Sequence, residues 1–361
     1  EIPSNCHHCG IGSPRGQCFC GSDWVTLIFR ILGPVIIAVS VLVLPTSAIK
    51  ASSPEVICEL TDPRLTEISG MAPSQLHSGV MWVHNDSGDK GRLYALQLSN
   101  CAVVGELTLR DVSARDFEGL AAGVDARGRP VLWVGDIGDN RDSWSDVSIY
   151  RIREPKKLGK TSAQAQRYRF TYEDRPHNAE TILADPNSQQ LWIVTKQMAS
   201  GSIYALPKKL RKSGINIARK ISSSTGLITD GAIRPDGTTF VLRDYFQAQF
   251  FRGLPVGLVD EIVDLPGQPQ GEAIAWLPGE NAIAIASEND DRVIRIDLPE
   301  VAAAAAAEDL IESTDPTESP DPTQVVRVQD FNYASRFPVI VGVIAGVIAL
   351  VTGLILMRKR P

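Results

Sequence analysis

The sequence predicts an all-β fold, a β-propeller of five blades, followed by one C-terminal transmembrane helix. Three observations predict it. Short motifs recur in fixed order along the chain, they recur at the spacing of a four-strand unit, and a long apolar run lies near the end of the sequence.

The first motif is a small or acidic residue at the head of an apolar strand. The heads are Ser69, Glu118, Glu180, Asp230 and Glu272, with steps of 49, 62, 50 and 42 residues. The second is an apolar strand ending in polar groups. It carries His84, Asn85 and Asp86, then Asp136, Lys196, Arg243 with Asp244, and Glu288. The third is an alternating strand, as in Leu93 to Leu96, Ile149 to Ile152, Ile203 to Leu206 and Val293 to Ile296. Turn residues such as Pro186-Asn187 and Pro235-Asp236-Gly237 separate the first strand of a unit from the second. The last unit has three visible strands, and Glu55 to Leu60 lies before the first head without a partner. Ring closure solves both, with Glu55–Leu60 as the outer strand of the last blade. A sixth blade would need another unit in residues 155–178, which fit better as the outer strand and long loop of the second.

The flanks read differently. Ile31 to Leu44 has the length of a signal-peptide core, with Arg30 before it and small residues up to Ala48 for cleavage. An uncleaved anchor is the alternative. Cys6, Cys9, Cys18 and Cys20, with His7 and His8, have spacings compatible with zinc. They precede the signal, so a cleaved protein lacks them. Domain organisation is therefore a Cys-rich leader with signal or anchor (1–51), a propeller (52–300), and an acidic Pro/Thr-rich stalk (301–336). A membrane helix (337–357) and a basic cytoplasmic tail (358–361) complete it. Arg358, Lys359 and Arg360 after the apolar run place the body outside the cytoplasm. Gly342 and Gly346 form a G-x-x-x-G pattern that can pair helices into a dimer. Cys58 and Cys101 remain as a pair, and an oxidising compartment favours their disulfide at the seam between first and last blades.

Of the 361 residues, 43% are hydrophobic and 22% charged, ordinary values for a globular body. A net charge of −6 with no basic stripe argues against nucleic acid as a partner. The run Lys208, Lys209, Arg211 and Lys212 reads as a solvated loop.

In a propeller the first strands line the central channel, so the repeat gathers Glu118, Glu180, Asp230 and Glu272 around one axis. Several converging carboxylates repel one another, and a cation relieves the repulsion. The oxygen-rich set of Glu118, Asp136, Asp139, Asn140, Glu180, Asp230 and Glu272 suits Ca²⁺, or Mg²⁺, better than zinc. The stretch Gly135 to Asn140 stands out as the foremost single candidate. Asn85, Asp86, Lys196, Arg243, Asp244 and Glu288 at the second-strand ends are candidates for contacting a ligand. His84 and His177 are the candidate general bases. There is no G-x-S-x-G elbow, H-E-x-x-H or phosphate-binding loop.

The strings WVHNDSGD (82–89), RDFEGLA (115–121), GDIGDN (135–140), AETILADP (179–186), TDGAIRPDG (229–237) and QGEAI (270–274) resemble a family of secreted or membrane-bound bacterial propellers found especially in actinobacteria. The resemblance spans about residues 57–298 and implies a propeller exported from the cytoplasm. The E-G-x-A heads are similar, more weakly, to esterase-like and phytase-like propellers, and transfer no catalytic residue. Two functions follow from these observations. One is a surface-displayed propeller that binds a small molecule or protein around a central cation. The other is a Ca²⁺- or Mg²⁺-dependent hydrolase of phosphoesters, esters or lactones.

Overall fold

A computed structural model describes residues 53–298, except Ser87. The leader, the stalk, the predicted membrane helix and its pairing motif lie outside the described residues. No helix among the described residues is long and apolar enough to cross a membrane.

The described chain is all-β, with 21 strands. Its first four-strand run is β2 (Ile68–Pro73), β3 (Val80–Asn85), β4 (Arg92–Gln97) and β5 (Ala102–Arg110). The second is β6 (Phe117–Val124), β7 (Pro130–Asp136), β8 (Val147–Arg153) and β10 (Gln166–Tyr172). The third is β11 (Ala179–Ala184), β12 (Leu191–Thr195), β13 (Ser202–Ala205) and β14 (Ile215–Ser223). The fourth is β15 (Asp230–Ile233), β16 (Thr239–Arg243), β17 (Gln247–Arg252) and β18 (Leu258–Asp264). The fifth is β19 (Gln270–Trp276), β20 (Ala282–Glu288) and β21 (Arg292–Asp297), completed by β1 (Glu55–Glu59). Within each run the strands pair antiparallel in chain order, apart from the returning β1. The parallel pair β10–β14 joins the second and third runs into one eight-stranded sheet. The segment after β8 is divided between sheets. Its β9 (Gly159–Gln164) runs parallel to β5, while β10 caps the second run.

Apolar side chains explain why the strands are near-continuous hydrophobic runs. The inner strands of each run are buried on both faces, so both sets of their alternating residues need an apolar partner, while outer strands such as β9 and β18 are largely exposed. Five hydrophobic clusters result, one between each pair of successive runs. Trp82 and Leu93 meet Leu132 and Tyr150, and Trp133 and Tyr168 meet Ile193 and Tyr204. Trp192 and Ile203 meet Phe240, and Phe250 meets Trp276 and Ile283. At the last interface Met71, Met81 and Tyr94 pack on Ala273, Ala284 and Ala286, large side chains filling the room the alanines leave. The first strands also pack in a closed order, β2 on β6, β6 on β11, β11 on β15, β15 on β19 and β19 on β2. This arrangement is propeller-like.

Closure is covalent as well as hydrogen-bonded. Glu55 pairs with Arg295 and Glu59 with Arg292 along β1–β21. A disulfide joins Cys58 of β1 to Cys101 just before β5, with Cα atoms 5.5 Å apart. It closes a loop with a sequence separation of 43, and such cross-links stabilise by about 2–4 kcal/mol, mainly by restricting the unfolded chain.

Candidate functional site

Four of the five first strands carry a β-bulge at the head. Register shifts fall at Ile68/Gly70, Glu118/Leu120, Ala179/Thr181 and Gly271/Ala273. A bulge leaves one residue outside the ladder and re-aims its side chain. It takes Ser69, Glu180 and Glu272 out of pairing in β2, β11 and β19. In β6 it falls on Gly119, whose φ is +72°. A Cβ there would lie 2.8 Å from the Glu180 carbonyl oxygen and the Ile182 nitrogen, so only glycine lets β6 approach β11 this closely.

The bulged heads meet a second set of acids. One ligand oxygen each from Asp86, Asp116 and Glu118 lie within 4.8 Å of one another. Ser69 donates its hydroxyl to Glu118 Oε2. Neighbouring carboxyls act on one another here, Glu180 on Glu118, Asp86 on Asp116, and Glu272 on Glu288. Glu118, Glu180 and Glu272 are almost wholly buried. Burial is the first cause that lifts Asp116, Glu118, Glu180 and Glu288, and neighbouring carboxylates add to it, against the pull of the Lys196 ammonium in the case of Glu180. Asp116 and Glu288 are pushed up to about 8, Glu180 to about 7, and Glu118 well above the usual range. Four carboxylate oxygens of this group, Asp86 Oδ1, Glu180 Oε2, Glu272 Oε2 and Glu288 Oε1, are buried and meet no donor within the protein. An orphaned buried acceptor costs roughly 1–3 kcal/mol, more when charged, so these oxygens need either a proton held on the facing carboxyl or a ligand that supplies positive charge.

The residues two positions before the heads support the ring. Asn178 donates to Glu180 Oε1 at 3.0 Å and to Asn140 Oδ1 at 3.1 Å. Asn140 in turn donates to Asp116 Oδ2 at 3.1 Å. Gln270 donates to Glu272 Oε1 at 3.0 Å. Sequence reasoning missed Asp116 and Asn178. Their signal was the period of two in Asp116–Glu118, Asn178–Glu180 and Gln270–Glu272, which places each pair on one side of the chain.

Of the other predicted residues, Lys196 reaches ring carboxylates and the rest go elsewhere. Asp136 accepts the backbone amides of Arg115 and Asp116, both at 3.0 Å, and pairs with the Arg115 side chain. Asp139 accepts the amides of Ser143 and Trp144 at 2.6 and 2.7 Å. Asp244 accepts those of Phe246 and Gln247. Asp230 is fully buried and accepts Ile274 N at 2.9 Å, tying β15 to β19, while burial raises its carboxyl well above the usual range. Arg243, also fully buried, donates to the carbonyls of Asp244, Ala273 and Ala286 and to Gln268. Burial lowers it to about 10. Asn85 donates to the Arg64 carbonyl at 2.6 Å. Lys196 lies 3.3 Å from Glu180 Oε1 and 3.7 Å from Glu272 Oε1, with the Tyr245 ring 5.3 Å away. Burial alone would favour its neutral amine, but Glu180, Tyr245 and Glu272 outweigh it and keep the ammonium charged.

The two histidines differ: His84 leaves Nε2 buried without a partner, and His177 is engaged at both nitrogens. His84 is fully buried over Gly70, edge-on to Phe117, with Nδ1 3.0 Å from the Asn85 carbonyl. Burial lowers its pKa. His177 sets Nε2 against Asp174 and Tyr204 OH, and Nδ1 against Gln197.

Further along the same first strands the axis turns apolar. A cavity of about 130 Å³ is walled by Met71, Leu120, Ala184, Ala232 and Trp276 among others. The polar site is therefore confined to the end where the heads stand.

No family model matches the sequence, and no curated protein matches it. Solved structures with similar folds include the glutaminyl cyclase of Myxococcus xanthus, at 13% identity over 68% of this chain and 97% of that one, with a TM-score of 0.42. Raptor of Chaetomium thermophilum is 9% identical over 69% of this chain and 29% of that one, with a TM-score of 0.38. The Cps50 (Swd1) β-propeller domain of Myceliophteria thermophila is 10% identical over 64% of this chain and 84% of that one, with a TM-score of 0.34. At such scores these likenesses assign neither activity nor ligand.

Proposed function

We propose that this chain is a five-bladed binding propeller, displayed outside the cytoplasm, that holds an oxygen-ligated divalent cation, Ca²⁺, on its axis. Each antiparallel run of four strands is read as one blade. The observation that carries the cation is the close cluster of Asp86, Asp116 and Glu118 oxygens, in which the buried Asp86 Oδ1 has no donor. The donors are all oxygen, with no cysteine or histidine among them, which suits Ca²⁺, or Mg²⁺ as the smaller alternative. The disulfide supports an oxidising compartment. The apolar run 337–357 with its basic flank supports a single-pass tether, and the motif order supports kinship with the exported bacterial propellers. Binding is favoured over hydrolysis because His177 is held at both nitrogens by Asp174, Tyr204 and Gln197, while His84 is sealed from solvent with its Nε2 against Gly70.

The test is metal content and melting of the full-length chain. About one Ca²⁺ per chain, with a melting point lowered by chelator and restored by Ca²⁺, is the expected result. A protein that carries no divalent ion and melts identically with and without chelator refutes the cation.

A further inference from the structure

Lys196 breaks the pattern of the ring it belongs to. The second-strand ends bring acids from two runs, Asp86 after β3 and Glu288 at the end of β20. The third run brings a lysine instead, immediately after β12. Its ammonium reaches Glu180 of its own run at 3.3 Å and Glu272 of the fifth at 3.7 Å. It lies between two glutamates that are 1% and 2% exposed. The fourth run, between them in the ring, brings Asp230, whose Oδ2 accepts the Ile274 amide and whose Oδ1 is buried without a donor. Only one oxygen of each glutamate faces the lysine, and Glu180 Oε2 and Glu272 Oε2 remain buried without a donor.

We propose that Lys196 is a built-in cation that occupies one half of the acidic ring and so limits it to a single exogenous divalent ion, held in the other half by Asp86, Asp116 and Glu118. The inference rests on the cation reading given above. A buried pair of ionised carboxylates without a counter-charge is strongly unfavourable, so once it has lost its protons each half needs a cation, its own or a recruited one. The Nζ–O distances exceed the 2.3–2.6 Å of a Ca²⁺–oxygen bond, so the glutamates would close in on an ion that replaced the ammonium. Removing the side chain at Cβ should turn the lysine half into a second metal site of the same hard, oxygen-only chemistry.

The experiment compares the full chain with its Lys196→Ala variant, loaded with Mn²⁺ as the probe. Bound ions are counted by elemental analysis, and ion–ion coupling is read by electron paramagnetic resonance. The wild type should hold one magnetically isolated ion. Lys196→Ala should hold two, coupled through space, and should regain with millimolar Ca²⁺ most of the melting temperature it loses in chelator. One ion in both proteins overturns the role of the lysine while leaving the cation reading intact. No ion in the wild type overturns that reading itself. Should the variant fail to fold even with Ca²⁺, the wild type still decides, because a coupled ion pair beside an intact Lys196 overturns the proposal and a single isolated ion sustains it.

Discussion

At the level of single side chains, the fate of a carboxylate here depends on whether backbone amides reach it first. Asp139 is met by the amides of Ser143 and Trp144, so its charge is spent holding a turn. Asp116 is met only by the amide group of Asn140 and lies against Asp86. The Gly135 to Asn140 stretch looked like the ring's strongest motif in the sequence, yet Asn140 is its only side chain that touches a ring acid. Glycine-flanked aspartates serve tight turns and metal sites alike, and sequence does not separate the two uses. Asp139→Ala should cost roughly 1–3 kcal/mol through two stranded amides, with the number of bound ions unchanged. Asp116→Asn should weaken Ca²⁺ at least about tenfold, since ligand charge count sets affinity, while raising the melting point in chelator only above about pH 8, where Asp116 would otherwise lose its proton. Calcium titration and thermal melts of the two variants separate these behaviours, and an unaltered affinity in Asp116→Asn removes that residue from the site.

Among the elements, the bulged first strand is the unit that turns a repeat into a site. Strand existence and order were legible because both faces are apolar and turn residues punctuate each unit. The closing partner for β21 was legible from the count of strands. Bulges were not legible, because nothing in Glu118-Gly119-Leu120 distinguishes a bulge from a regular ladder. The shift appears only when β6 must approach β11. The division of residues 155–178 between two sheets was hidden for the same reason, since β9 is set by the open edge of β5 rather than by its own pattern. Gly119 exposes the cost of the close approach. Gly119→Ala adds a Cβ at φ +72° against the backbone of Glu180 and Ile182, and should destabilise by about 2 kcal/mol or more. Gly128 has φ +68° with nothing within 4 Å of the same added atom, so Gly128→Ala should cost only about 1 kcal/mol. At roughly 2–4 °C per kcal/mol, the melting points of the two variants should differ by several degrees, and equal losses would mean that the β6–β11 contact carries no extra constraint.

For the whole molecule, the acidic axis sets stability against pH. Asp116 and Glu288 hold their protons up to about 8 and Glu180 up to about 7, chiefly because burial penalises the charged form. In the unfolded chain the same groups titrate near 4. Between these limits the folded protein binds more protons than the unfolded one. Stability must therefore fall as pH rises, by up to about 1.4 kcal/mol per pH unit for each proton involved. The effect opposes the surface pairs, such as Arg129 with Asp125 and Arg169 with Asp146, whose carboxyls are held low and whose contribution is lost only in acid. Those pairs are exposed on one side and weak, so the axis should dominate above pH 5. A divalent cation changes the balance, because it supplies the charge that the protons supplied and displaces them. In chelator, the melting point of the full-length chain should fall steadily from about pH 5 to about pH 8. With Ca²⁺ the curve should flatten, so the stabilisation by Ca²⁺ grows with pH. A chelated protein whose melting point is level across that range would mean that the carboxyl pairs are solvated in solution and that the ring is not the closed acidic cage described above.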